Sequence, residues 1–349
     1  MGLETGFERH TLPLEFPFTI ARGTAERATV VSVRVGDGEH VGVGAAGPSS
    51  HYGETPDTVE AVLPSLLSVV EDVGDPHALA RIERRLAATV RGNPAARCAV
   101  SIACHDLAAK RAGLPLYAMW GEDPAAAVRT SYTVGIDDAA TMREKAAVAV
   151  ERGHEVLKVK VGTGDDHANL AAVREAAPDA TVRVDANEAW TPREAVSSIR
   201  ELTASFDLEF VEQPVPAENP GGLGFVRDRV DVPVAADESC VTPDDVPRIA
   251  DQVDVANLKL MKCGGLRPAR RLIHAARVHG LEVMCGCMLE SNASIAAACH
   301  LAPLLDYADL DGSLLLEADP YEGVPMDGGR IDLASLDRPG TGARPTDEG

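Results

Sequence analysis

Lysine is scarce in this chain. Only 6 of its 349 residues are lysine, against 27 arginines. Positive charge is short overall: 33 Lys and Arg face 54 Asp and Glu, for a formal net charge of −21. So acidic a chain is a poor partner for nucleic acid or an anionic membrane surface, which carry dense negative charge of their own. No run of about 18 apolar residues is present, so no membrane-spanning helix is expected. The first ten residues, Met1 to His10, are charged and lack the apolar centre of a secretory leader. The seven cysteines are odd in number and show no paired spacing, so they read as reduced thiols. The expectation these absences leave is a cytoplasmic protein that handles a small molecule. Few lysines beside many carboxylates has two explanations. One is a host with high internal salt, where an acidic surface stays hydrated. The other is a GC-rich genome, whose codons favour Ala, Arg, Gly and Asp.

What is present is enough for a large core. Apolar residues make up 45% of a chain whose length suggests two domains, or one barrel with an attached cap. The first part reads as α+β. Alternating segments Ala28 to Val35 and Glu39 to Gly44 flank a turn at Gly36–Asp37–Gly38 and predict a hairpin. Three helices follow: Thr58 to Asp72, a second opened by Asp75–Pro76 and running to about Val90, and a third opened by Asn93–Pro94 and ended by Gly113. From about Thr130 short apolar strands alternate with Ala-rich helices. The strands are Ser131–Val134, Val156–Val161, Thr181–Asp185, Glu209–Glu212, Val234–Asp237, Val255–Met261, Glu282–Cys285 and Tyr307–Asp311. Polar residues at their ends recur regularly: Lys158 to Asp185 and Asp185 to Glu212 are 27 residues each, Glu212 to Asp237 is 25, and Asp237 to Lys259 is 22. Such a step fits one strand, one helix and two loops, and eight units build a barrel of roughly 200–250 residues.

The chemistry sits where those strands end. Barrels of this kind place their active sites at the C-terminal ends of the strands. Three successive strands end in Asp185, Glu212 and Asp237. One such carboxylate alone would more often cap the next helix. Three side by side would repel one another without a cation between them, and hard oxygen ligands on rigid strands suit Mg²⁺. Four of the six lysines, Lys158, Lys160, Lys259 and Lys262, flank these carboxylates. A chain that otherwise uses arginine has little need of lysine for surface charge. Lysine can lose its proton when burial or a neighbouring cation lowers its pKa, and arginine cannot readily do so. Charge balance is the simpler reading for Lys158 and Lys262, and proton transfer the sharper one for Lys160 and Lys259.

The segments LKVKVG, VRVDANE, FVEQPV, ADES and NLKLMKCGG resemble the enolase superfamily, muconate-lactonizing subgroup. The resemblance spans nearly the whole chain, including AVSIACHDLAAKRAG at Ala99 to Gly113. It implies a modified (β/α)₇β TIM-type barrel, residues 126–312, behind an N-terminal α+β capping domain, residues 1–125, completed by a C-terminal segment, residues 313–349. It implies that Asp185, Glu212 and Asp237 bind Mg²⁺ and that Lys160 and Lys259 are the acid/base pair on opposite substrate faces. Lys158 would hold the substrate carboxylate and depress the pKa of Lys160. Within the subgroup the dipeptide epimerases of the L-Ala-D/L-Glu type are the nearest resemblance. YADLDGSLLL carries Asp309 and Asp311, which resemble that group's site for the dipeptide α-ammonium. FTIARGTAERA resembles its mobile cap loop, where Arg22 would reach an acidic substrate side chain. GCMLESNAS, Gly286 to Ser294, fits the end of its seventh strand. Asn187 and Glu238 are placed beside the metal ligands by position. A homo-oligomer acting on a dipeptide is expected.

Two relatives with the same metal and lysine pattern, muconate cycloisomerase and o-succinylbenzoate synthase, have no amine to bind, so Asp309 and Asp311 disfavour them. A Schiff-base lyase would leave the three carboxylates unexplained. A protein that only binds peptides would not need two proton-transfer lysines.

Overall fold

The computed structural model describes residues 2–346. Residue 1 of the expected cap and residues 347–349 of the expected C-terminal segment lie outside the described residues. The chain opens with a three-stranded antiparallel sheet of order β1-β2-β3: β1 Glu4–Ile20, β2 Gly23–Gly36 and β3 Val41–Ala46. The predicted hairpin is β2–β3, with Gly36 opposite Val41. Strand β1 was not foreseen. Its Pro13 and Pro17 cannot donate to a ladder, and the register with β2 shifts between Pro13 and Phe18. Proline of this kind marks an edge strand, and β1 lies at the sheet's edge.

Three helices follow, α1 Pro56–Val73, α2 Leu79–Thr89 and α3 Pro94–Ala112; α1 and α3 pack on the sheet, and α2 packs against those two helices. Helix α2 starts later than expected, because Asp75–Pro76 forms a turn. The Asp75 side chain accepts from the His77 N–H and its carbonyl from the Ala78 N–H. Helix α3 is buried along nearly its whole length, and Ala99 and Ala103 lie close against Gly42 and Gly44 of β3. At Gly44 a Cβ would stand 2.3 Å from the Ala99 carbonyl oxygen. That oxygen belongs to helix backbone and cannot swing away. Gly44→Ala is therefore expected to destabilise the fold by about 3 kcal/mol, the upper part of the overpacking range. Urea unfolding against Gly6→Ala, where a Cβ meets nothing within 4 Å, provides the check.

Eight parallel strands form the barrel, in the order of the chain: β4 Tyr132–Val134, β5 Val156–Lys160, β6 Thr181–Asp185, β7 Val211–Glu212, β8 Val234–Ala236, β9 Val255–Lys259, β10 Glu282–Gly286 and β11 Tyr307–Asp309. A parallel bridge between Thr130 and Ala308, with the Ser131 N–H donating to the Ala308 carbonyl at 3.1 Å, closes the ring. Helical segments fill the seven connections, and none follows β11 before the tail. Most strands are a residue or two shorter than predicted. Strand β9 stops at Lys259, two residues before the expected end. Leu260–Cys263 turns at once into a single helical turn, ended by Gly264 at φ 84°.

Beyond the barrel, β12 Tyr321–Glu322 pairs with β15 Arg344–Pro345, and β13 Met326–Asp327 pairs with β14 Arg330–Ile331. This tail runs back along the N-terminal elements. Leu316 bridges Leu14, and the Leu116 N–H donates to the Gly340 carbonyl at 2.8 Å. Buried Asp106 of α3 accepts from the Val43 N–H and Lys110 on one oxygen. Its other oxygen accepts from the Thr341 N–H at 2.7 Å and the Thr341 hydroxyl at 3.1 Å. Gly340, at φ 82°, permits this approach, since a Cβ there would stand 2.1 Å from that oxygen.

Candidate active site

Strand register sets the site. Lys160 lies opposite Asp185, and Asp185 opposite Glu212. Lys259 lies opposite Gly286, and Gly286 opposite Asp309. Because β5 to β9 are consecutive neighbours, the lysines of β5 and β9 flank the carboxylates that end β6, β7 and β8.

Asp185, Glu212 and Asp237 are fully buried, and one oxygen from each lies within 4.8 Å of the others. All donors are hard oxygens. Asn187 Oδ1, a buried oxygen beside them, has no hydrogen-bond partner among the described residues, and Glu212 Oε2 has the Lys158 ammonium 2.8 Å away. A divalent cation such as Mg²⁺ fits this set. Burial and the Asp185 charge push Glu212 up to about 8. Burial also opposes ionisation of Asp185 and Asp237. Lys158 and Lys160 overcome it at the first, and Lys259, Lys262 and Lys158 at the second, so both sit below the ordinary carboxylate range. Gln213, at φ 35°, helps fix Asp237: its side-chain oxygen accepts the Asp237 N–H at 2.9 Å. Sequence reasoning passed over Gln213 because a glutamine beside a ligand carries no charge signal.

The lysines are already engaged. Lys160 Nζ is 2.6 Å from Asp185, and Lys259 Nζ is 2.7 Å from Asp237. Lys158 meets three carboxylates: Asp185 at 3.0 Å, Glu212 at 2.8 Å and Asp309 at 2.7 Å. Burial works to lower the pKa of Lys158 and Lys259. Asp185, Asp309 and Glu212 outweigh it for Lys158, and Asp237 for Lys259, so both lie well above the ordinary value. Lys262 donates to the Asp237 side chain, to its carbonyl and to the Asn257 carbonyl.

At the eighth strand, Asp309 also accepts from the Ser131 hydroxyl at 2.6 Å, and Asp311 accepts the Thr133 N–H at 2.6 Å. Burial and the Asp309 charge raise Asp311 to about 7. Asn187 donates to Asp185 from its backbone and its side chain, and its side chain also reaches Glu238. Arg22, on the turn between β1 and β2, crosses the mouth to the Asn187 carbonyl, Glu188 and Glu238. Glu290 is buried under Met288 and Ser294, which donate to it, and burial raises it to about 7. A cavity of about 610 Å³ joins Arg22, Lys158, Lys160, Lys259, Asp309 and Asp311. Phe18, Ile20, Tyr52 and Leu289 also line it, none of them singled out from sequence. They come from β1, the segment after β3 and the segment after β10, which meet only in three dimensions.

Residues 4–121 match the family model for the mandelate racemase / muconate lactonizing enzyme N-terminal domain, and residues 141–349 match the enolase C-terminal domain-like model. Over 346 residues the chain is 37% identical to the L-Ala-D/L-amino acid epimerase of Pedosphaera parvula, covering 95% of this chain and 96% of that one. It is also 37% identical over 349 residues to the L-Lys-D/L-Arg epimerase of Methylococcus capsulatus, covering 95% of each. The crystal structure of the dipeptide epimerase from Enterococcus faecalis, complexed with Mg and L-Leu-L-Tyr, superposes with a TM-score of 0.91 at 36% identity. It covers 98% of this chain and 99% of that one.

Proposed function

The chain belongs to the mandelate racemase / muconate lactonizing enzyme family of the enolase superfamily, and on that premise we propose that it is a Mg²⁺-dependent dipeptide epimerase. The reaction is a proton transfer that inverts the carbon next to the substrate's C-terminal carboxylate, through an enediolate. The carrying observation is the pair Lys160 and Lys259, one on each side of three buried carboxylates at one end of the barrel.

Mg²⁺ held by Asp185, Glu212 and Asp237 would act as a Lewis acid that stabilises negative charge growing on the substrate carboxylate. Lys160 removes the α-proton from one face, and Lys259 delivers a proton to the other; the roles exchange in reverse. Each must be neutral when it acts as base. Asp237 favours the ammonium form of Lys259 over the pull of burial, which suits the donating half of the cycle. Lys158 would help hold the substrate carboxylate. Asp309 and Asp311 take the dipeptide's α-ammonium and fix its register.

Muconate cycloisomerase or o-succinylbenzoate synthase chemistry is the second reading. One observation favours it: Lys158 already pairs with Asp309, and Asp311 is raised to about 7, so the eighth strand is less anionic than its sequence suggests. Exchange of the α-proton with deuterated water separates the two. Free dipeptides are expected to exchange, and N-acetylated ones at least about tenfold more slowly, the worth of one charge-assisted hydrogen bond. Asp309→Asn and Asp311→Asn are expected to weaken binding of the free dipeptides. Equal exchange of acetylated and free forms would remove the case for an amine site.

Among the described residues no helix is long and apolar enough to cross a membrane. The same reading places the enzyme in the cytoplasm as a homo-oligomer, checked by its mass in solution. If its net charge of −21 is an adaptation to salt, the melting temperature rises from low to molar salt as carboxylate repulsion is screened. A flat response leaves codon bias as the cause.

A further inference from the structure

We propose that Arg22 is the fixed counter-charge of Glu188 and Glu238, and that the site therefore selects dipeptides with an apolar C-terminal side chain over acidic ones. This rests on the epimerase reading and names its substrate class. The geometry departs from the role expected of Arg22 from sequence.

Arg22 Nη1 donates to the Asn187 carbonyl at 2.9 Å and to Glu188 Oε2 at 3.0 Å, and Nη2 donates to Glu238 Oε1 at 2.6 Å. One guanidinium thus serves two carboxylates whose side chains are only 10% and 1% exposed. Glu188 is itself held: its other oxygen accepts the Ala217 N–H at 2.8 Å, and it sits at φ 70° in the turn after β6. These acceptors are rigid parts of the barrel. A substrate carboxylate arriving at Arg22 would have to displace one of them or share the guanidinium with both. In either case it meets two like charges at short range.

The same compartment also has an apolar lining. The Phe18 ring lies 5.9 Å from Lys160 Nζ. Ile20 and Tyr52 stand on the same cavity wall. An apolar substrate side chain in this cavity has these three to pack against. A lysyl side chain reaching the cluster would find Glu188 Oε2 and Glu238 Oε1 already bonded to Arg22.

The test measures kcat/KM by α-deuterium exchange for L-Ala-L-Leu, L-Ala-L-Glu and L-Ala-L-Lys, in the wild type and in Glu188→Gln. Gln keeps the shape and an acceptor for Ala217 but removes one of the charges on Arg22. The wild type is expected to prefer the leucyl dipeptide over the glutamyl one by at least about tenfold. In Glu188→Gln the glutamyl-to-leucyl ratio is expected to rise by about tenfold, as Arg22 gains free positive charge. A wild type that prefers the glutamyl or the lysyl dipeptide overturns the inference, and so does a ratio that does not move in Glu188→Gln. Exchange of none of the three would instead overturn the epimerase reading itself.

Discussion

Lys160→Ala is expected to stop epimerisation in both directions, yet to leave α-proton exchange on one stereoisomer of the substrate. Every inversion needs a base on one face and an acid on the other, and positioned proton transfer of this kind contributes about 10²–10⁴-fold to rate. A loss of at least about 10³-fold in epimerisation is therefore expected. Lys259 remains on its own face, and can still remove and return the proton that points at it. Lys259→Ala gives the mirror result. The remaining lysine keeps its surroundings in each case, because Lys160 pairs with Asp185 and Lys259 with Asp237, two different carboxylates. Mass spectrometry of each stereoisomer in deuterated water reads the outcome. Exchange of both isomers at equal rates by either variant would rule out lysines on opposite faces.

Chelation is expected to bring turnover to background, and added Mg²⁺ to restore it. A second readout does not depend on activity. A ligand that binds the folded chain alone stabilises it by about 2.7 kcal/mol at 100 times its dissociation constant, so Mg²⁺ should raise the melting temperature. Glu212→Gln keeps the size of a fully buried side chain while removing its charge. It should abolish both the thermal response and the turnover. Full activity in excess chelator, or an unchanged Mg²⁺ shift in Glu212→Gln, would refute the assignment of these carboxylates.

The barrel was legible because its strands are short apolar runs ending in charges that have no place in a core unless they do chemistry. Thr181–Asp185 was read to the residue, and the helix that ends at Gly113 likewise. Strand β1 was not legible. Its outward face is polar, and two prolines interrupt the alternation that marks a strand. The turn into helix at Leu260 was hidden for the opposite reason, since Leu260 and Met261 continue the apolar run of β9. At the site, residue types announced the carboxylates and lysines but not their partners. Nothing in the order of the letters says that Lys158 meets Asp309, 151 positions away, or that Arg22 spends its charge on Glu188 and Glu238. Such pairings depend on which strands adjoin when the barrel closes.

The bond between Asp106 and Thr341 bears on how the chain reaches its native state. One oxygen of a fully buried carboxylate depends on a residue 235 positions further along. The helix that carries Asp106 can form by itself, but its acceptor stays unfilled in an apolar setting until the intervening polypeptide has wound through eight strands and come back. Closing so long a loop costs entropy before any contact rewards it, and topologies dominated by distant contacts fold slowly. Refolding should therefore end in one slow docking event that consolidates the amino-terminal layer after the parallel strands have assembled. A nascent chain halted before residue 341 would keep the Lys110 and Val43 bonds of Asp106 but leave its other oxygen without the Thr341 donors, an incompletely covered layer open to chaperones and proteases.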